Sequence, residues 1–238
     1  DAEEKGLLGS KHFIEHSPIE IKNIATMINM DMIGRMSDSS FTVGGVGTSP
    51  SFKHLLDSLK QGRFFNLIMN KPGFGPSDHA SFYTKDIPVL FFFSGVHDDY
   101  HTPNDTWRLI NLRGEKHILD FIYDVVLNLA RTPDKPAFQE SGPKKSQMGS
   151  PKKFTVTFGI MPSYVSTEKG LEVDGISRSD GPAAKAGIKK GDVIKSINNK
   201  AISDIYEYMD RLSALKVGMT VPVIIDRNGK EIRLEVTF

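Results

Sequence analysis

The sequence contains no cysteine, which excludes disulfides and every thiolate-based zinc site. That absence is compatible with export but does not demonstrate it. There is no apolar run of the roughly 20 residues needed to span a bilayer. The longest candidate, 87–93, includes Pro88 and reads as a buried strand. A basic excess is also missing. With a formal net charge of +1 the chain has no basic excess to neutralise phosphates, which argues against a dedicated nucleic-acid binder. Histidine is absent from the second half. All seven lie between His12 and His117, so imidazole chemistry belongs to the N-terminal portion.

What is present is ordinary globular protein. Hydrophobic residues make up 39% and charged residues 25% of 238 positions, enough for two domains. The charge divides unevenly, with 13 Lys/Arg against 16 Asp/Glu in 1–131 and 17 against 13 in 132–238. The stretch 132–153 is rich in Pro, Gly, Ser and Lys and suits an extended linker between domains at 1–131 and 154–238. Just before it, Ile118, Leu119, Ile122, Val125, Val126 and Leu129 recur at helical spacing and predict a helix over 115–129.

Upstream, the pattern predicts helices over 4–16, 50–61 and 77–83 and strands over 24–30, 40–43, 64–69 and 89–93. Strands alternating with helices imply an α/β domain with a mostly parallel sheet. In such sheets ligands gather beyond the carboxyl ends of the strands. Asp31 follows one apolar strand and His101 follows another. The segment 154–238 has a different texture. Strands are expected over 154–160, 171–177, 192–198, 221–226 and 231–238, and helices over 182–186 and 204–215. Asn228-Gly229 signals a two-residue hairpin.

Candidate chemistry begins with Glu3 and Glu4, oxygen donors of the kind a zinc hydrolase assembles, together with Asp31 and His101. Each has a plain alternative. The glutamates suit a first helical turn through the macrodipole, Asp31 suits a turn or cap, and His101 suits an ordinary loop. Spacing alone leaves these alternatives open.

Ordered motifs narrow them. Asp1-Ala2-Glu3-Glu4-Lys5-Gly6-Leu7-Leu8-Gly9-Ser10 is followed by Asn29-Met30-Asp31-Met32-Ile33-Gly34-Arg35. Ser77-Asp78-His79-Ala80-Ser81-Phe82, Ile87-Pro88-Val89-Leu90 and Tyr100-His101-Thr102-Pro103-Asn104-Asp105-Thr106 come after. In this succession residues 1–131 resemble the C-terminal half of the di-zinc aminopeptidases of clan MH, the aminopeptidase S and bacterial leucyl aminopeptidase type. The resemblance implies part of a phosphorylase/hydrolase-like zinc exopeptidase domain working with two zinc ions. It makes Glu3 the general base, Glu4 and His101 ligands of one zinc, and Asp31 a ligand of the other. It puts Asp78 and His79 near the site, orienting substrate or supporting ligands, and has Tyr100 holding the oxyanion or packing beside His101. Asp105 would orient the loop. His97, Asp98 and Asp99 are attractive as donors but the motif does not require them, and His12, His16, His54 and His117 read as surface residues.

The family also supplies a His-x-Asp motif and a bridging aspartate upstream of the glutamate pair; here the one His-x-Asp, His97-Asp98-Asp99, lies in the wrong place. The chain carries the base and three of five expected ligands. The expectation is that it is inactive alone and needs the missing N-terminal half of the catalytic domain.

Thr157-Phe158-Gly159-Ile160, the run Asp180-Gly181-Pro182-Ala183-Ala184-Lys185-Ala186-Gly187-Ile188 with Gly191-Asp192-Val193-Ile194, and the closing hairpin resemble a bacterial PDZ domain of the type appended to envelope proteases. That implies an extended peptide, or one with a free C-terminus, added as a strand. Its carboxylate would lie on the loop of Phe158, Gly159 and Ile160, and Ile205, Tyr208, Met209 and Leu212 would form a face shared between groove and core. Together the resemblances imply an exopeptidase acting on peptides or proteins, periplasmic, secreted or envelope-associated. A carboxypeptidase or dipeptidase shares the metal core. A glutaminyl cyclase-like single-zinc transferase and a non-catalytic PDZ peptide-binding module are the readings from other classes.

Overall fold

The computed structural model describes residues 2–3, 6–97, 99–100, 102–144, 155–163, 170–203 and 205–238. The chain divides into two compact units, Asp1–Gly95 with Thr106–Lys145, and Val96–Asp105 with Ser146–Phe238.

The first unit contains α1 (Leu8–Glu15), β1 (Met27–Asp31), β2 (Ser40–Gly44), α2 (Phe52–Lys60), β3 (Asn66–Met69), α3 (His79–Tyr83), β4 (Val89–Phe93) and α4 (Leu112–Arg131). Its sheet has the order β1-β4-β2-β3. The pairs β1–β4 and β2–β3 are parallel, and β2 runs antiparallel to β4. All five residues of β4 are buried, as expected of a central strand covered on both faces. Leu90 and Phe92 join Phe41, Phe52, Leu56 and, from α4, Ile118, Phe121 and Val125 in one core cluster. The predicted α4 stripe is therefore real, although Leu119 and Val126 are exposed. The helix also begins earlier than predicted because Asn111 caps it. Its Oδ1 accepts from Gly114 N at 2.9 Å, while its Nδ2 donates to Met36 O at 2.9 Å and its backbone N–H to Gly34 O at 2.8 Å. One residue thus caps the helix and ties it to the segment after β1.

Residues 133–144 form neither helix nor strand, but they are docked rather than loose. Gln139 N donates to Thr48 O at 2.8 Å and Gly73 N donates to Ser141 O at 2.8 Å. The Tyr83 hydroxyl accepts from Ser141 N at 2.8 Å and donates to Gly142 O at 2.7 Å. The Tyr83 ring is fully buried. Composition suggested a spacer because these bonds run through the backbone, which composition does not record.

The second unit contains β5 (Ile160–Pro162), β6 (Leu171–Ile176), α5 (Pro182–Lys185), β7 (Val193–Ile197), β8 (Lys200–Ala201), α6 (Ile205–Ser213), β9 (Thr220–Arg227) and β10 (Lys230–Thr237). The sheet order is β10-β9-β7-β6-β5, with β8 paired to β7. The hairpin forms where predicted. Arg227 pairs with Lys230, and Asn228 and Gly229 both take positive φ (56° and 80°) as a type I′ turn requires. The strand expected over 154–160 is corrected. Residue 154 lies outside the described residues, 155–159 are not strand, and pairing begins at Ile160.

Two carboxylates in this unit respond oppositely to pH. Asp192 is 1% exposed, bound by Arg227 Nε and Nη2 at 2.7 Å each and by Lys189 N at 2.8 Å. Burial opposes its charge, but the bonds from Arg227 and Lys189 outweigh it and hold the carboxyl below its ordinary range. Its stabilisation is present above the unfolded-chain value of about 4 and is lost as pH falls further. Asp174 is pushed up to about 6 by burial and by Glu172. Between about pH 6 and pH 4 the folded state therefore binds more protons at Asp174 than the unfolded chain does, and stability rises as pH falls.

Two outcomes are expected. In pH-dependent denaturant unfolding of the second unit, Asp192→Asn costs about 2–3 kcal/mol at neutral pH, less than for a fully buried pair because Arg227 keeps some solvent, while Asp174→Asn stabilises at neutral pH and abolishes the gain on acidification. In hydrogen exchange of the first unit, Tyr83→Phe strips protection from the Ser141 amide and costs about 1–3 kcal/mol.

Candidate active site

The candidate residues sit at the ends of elements. Asp31 is the last residue of β1, opposite Phe93, the last of β4. Parallel pairing makes both strands end on the same side of the sheet. Met32 then turns through a left-handed conformation (φ 53°). That turn is fastened by Ser94, whose Oγ donates to Met32 O and accepts from Arg35 N at 3.3 Å. Asp31 is thus held by a strand on one side and a pinned turn on the other.

Asn29 shares a face of β1 with Asp31, since side chains alternate along a strand. It reaches α3. Its Nδ2 donates to Ser77 Oγ at 2.8 Å and lies 3.4 Å from His79 Nδ1. His79 is 2% exposed and stacks on Phe91, with ring centroids 4.4 Å apart and planes 14° off parallel. Burial drives its pKa down to about 3, so the ring is neutral at physiological pH. A Cβ on Gly75 would come within 2.5 Å of His79 Nε2, so the backbone closes directly over the ring. His79 is therefore built into the packing beside Asn29 and Phe91, which favours support over proton transfer.

Asp78 precedes α3 but makes no capping bond with its side chain. Its Oδ1 is buried and has no hydrogen-bond partner among the described residues. A buried carboxylate oxygen without a partner is costly and calls for a cation or a donor beyond the described residues.

Glu3 lies in a turn whose carbonyl accepts from both Gly6 N and Leu7 N at 2.9 Å. The helix α1 starts only at Leu8, after Leu7 at φ 61°, and has no acidic residue in its first turn. The helix predicted over 4–16 is corrected to run from Leu8 to Glu15, and Glu3 itself lies in a 3-10 turn ahead of it. Glu4 and His101, the expected ligands, lie outside the described residues, as does Asp98.

The loop 96–105 holds Tyr100 and Asp105. Asp105 Oδ2 is 3.5 Å from His97 Nε2, and the His97 ring meets Tyr100 edge-on at 6.4 Å. Tyr100 N donates to His97 O at 3.0 Å, Thr102 N to Asp99 O at 3.0 Å, and Asp105 N to Thr102 O at 3.2 Å. His97 Nδ1 is buried without a partner among the described residues. The motif made no demand on His97, yet it bridges the two ends of this loop. The one signal in the sequence is that His97 closely precedes the stretch from Tyr100 to Thr106 that carries the motif.

Among the described residues no three His, Asp or Glu side chains form a metal cluster. The donor chemistry nonetheless fits zinc. Asp31 offers a carboxylate at a strand end, and the buried Asp78 oxygen has no hydrogen-bond partner among the described residues.

In the second unit the expected face divides. Phe158 (0% exposed) and Leu212 (6%) belong to the core, and so does Ile160 (7%). Ile205 and Met209 are only partly buried and pack at its margin. Gly159 takes φ 82°, a backbone that disfavours any side chain. Its carbonyl accepts from Ser177 N at 3.0 Å, and Phe158 O accepts from Ala183 N at 2.9 Å. The loop is thereby fastened to the start of α5.

Residues 1–126 match peptidase family M28, and residues 163–238 match the PDZ domain. Among curated relatives, serine endoprotease DegS of Escherichia coli K12 is 39% identical over 70 residues, which are 29% of this chain and 19% of DegS. A probable periplasmic serine endoprotease, DegP-like, of Bartonella henselae is 45% identical over 56 residues, 24% of this chain and 11% of that protein. The chain thus spans about a fifth or less of these relatives. Among solved structures, Legionella pneumophila LapA aminopeptidase is 26% identical, with 56% of this chain and 38% of that chain covered at a TM-score of 0.49. More than half of the sequence lies within the first of these matches, and the chain belongs to peptidase family M28, with a PDZ domain on its C-terminal side.

Proposed function

We propose that the natural polypeptide is a zinc-dependent aminopeptidase whose PDZ domain recruits peptide or protein substrates. The observation that carries this reading is Asp31, a carboxylate at the carboxyl end of a parallel strand inside the M28 match, with its turn pinned by Ser94. Asp31, Glu4 and His101 are the residues of this chain that would hold two zinc ions. Bound there, zinc polarises the scissile carbonyl and sharpens the attacking water.

The chain's own residues do the rest. Glu3 takes the proton from the attacking water and returns it to the leaving amine. The Tyr100 phenol donates toward the oxygen that becomes negatively charged. Asp105, with His97, orients the loop that bears Tyr100 and His101. Asn29 and His79 tie β1 to α3 behind Asp31, and Asp78 orients substrate or supports the ligands. With three of five ligands in this sequence, turnover needs donors from outside it.

The segment 132–153 serves as the connection between catalytic and PDZ portions, and residues 139–142 are fixed on the catalytic side. In the PDZ portion, β5 is the last strand in its sheet, so an extended peptide adds there. Gly159 and the backbone of Ile160 receive its terminus, and Ile205 and Met209 line the groove. A periplasmic, secreted or envelope setting agrees with the cysteine-free sequence and with the PDZ portion's likeness to a periplasmic protease.

Glu3→Gln in the natural polypeptide is expected to lower kcat on an aminoacyl-p-nitroanilide by about 10²–10⁴-fold while zinc content, measured by elemental analysis, stays unchanged. Retained activity would remove Glu3 from its role. Loss of zinc in parallel would make it a ligand instead.

A further inference from the structure

We propose that His12 and His16 form a metal site of their own, a two-imidazole chelate for a late first-row divalent ion, with copper(II) held most tightly. The site lies apart from the candidate active site and does not depend on the peptidase reading. His12 stands in the last turn of α1 and His16 is its C-terminal cap. Residues four apart on a helix share one face, and that spacing is how a helical His pair binds zinc in metalloproteases. The inner face of α1 is occupied by packing against α3. Ser10 Oγ lies 2.9 Å from Ser81 Oγ, and the Phe13 ring meets that of Phe82 with centroids 5.7 Å apart. His12 and His16 are exposed.

Three features prepare the pair. The rings lie face to face, with centroids 4.2 Å apart and planes 24° off parallel. An ion held tetrahedrally at about 2.0–2.1 Å by two imidazoles sets their nitrogens about 3.3 Å apart, so the rings need only tilt together at one edge. His16 Nδ1 is 3.1 Å from His12 O. With the proton on Nδ1 this contact is a hydrogen bond to a carbonyl, which orients a ligating imidazole and leaves the Nε2 lone pair for the metal. The pair also sits at the carboxyl end of α1, where the helix dipole favours a cation. The one lysine of the helix, Lys11, is engaged at the other end, donating to Gly6 O at 2.8 Å. No third His, Asp or Glu completes a cluster among the described residues, so water fills the remaining positions. Imidazole suits copper, nickel and zinc, and copper(II) forms the strongest complexes of the series. A bound ion clamps the last turn of an eight-residue helix that has no side-chain N-cap and is too short to hold on its own.

The test follows the ring C–H signals of all seven histidines by NMR in the full 238-residue chain, as free copper(II), buffered by glycine, is raised. Paramagnetic broadening is expected to reach His12 and His16 together, and at lower copper than it reaches His54, which is exposed and has no histidine one turn away. In His12→Gln and in His16→Gln the remaining ring needs at least about tenfold more copper, because a single imidazole binds without the chelate. Both positions are exposed, so neither substitution disturbs the packing of α1 on α3. Broadening of His97 or His101 with His12 and His16 unaffected overturns the site and places the copper in the candidate active site instead. Broadening of one member of the pair without the other overturns the chelate. So does a copper requirement in either single variant that stays within twofold of wild type.

Discussion

The parallel pairing of β1 with β4 is the constraint on which the catalytic portion depends. Register places Asp31 against Phe93, so both strands stop at one level on one side of the sheet. The chain leaves β1 at Asp31 and leaves β4 toward the loop that carries Tyr100 and Asp105. Burial on both faces fixes that register, because a one-residue slip would send Leu90 and Phe92 away from α4. A carboxylate at the end of a strand has little freedom. That suits a metal ligand, whose geometry must be set before the metal arrives.

Support for this level comes from side chains that tie neighbouring segments together. Ser94 closes the turn after Asp31, Asn111 joins the cap of α4 to the segment after β1, and His79 fills the space between Asn29 and Phe91. His79 illustrates how burial decides function. An imidazole with its pKa driven to about 3 is no proton carrier at neutral pH. It serves as a flat, polar-edged packing unit.

Much of this was legible in the sequence, for physical reasons. The α4 stripe announced itself because a long helix with one buried face must repeat near 3.6. The Asn228-Gly229 hairpin was legible because few residues tolerate two successive positive φ values. The docking of 133–144 was hidden, since its bonds are backbone amides meeting the Tyr83 hydroxyl and neighbouring carbonyls. The true start of α1 was hidden by Leu7, whose left-handed backbone has no signature in an apolar residue. Within the PDZ face, helical spacing could not separate Leu212 in the core from Met209 at its margin, because both lie on one stripe. His97 stood out only as a possible donor, because a motif says nothing of the contact with Asp105 that closes the loop.

The account stands on Asp31 as a zinc ligand. An anomalous difference map, collected at the zinc edge from crystals of the natural polypeptide grown with zinc, tests it most directly. The predicted result is a peak about 2.0–2.2 Å from an Asp31 carboxylate oxygen. A fully occupied zinc site elsewhere in the catalytic portion, with Asp31 turned away from it, would contradict the account.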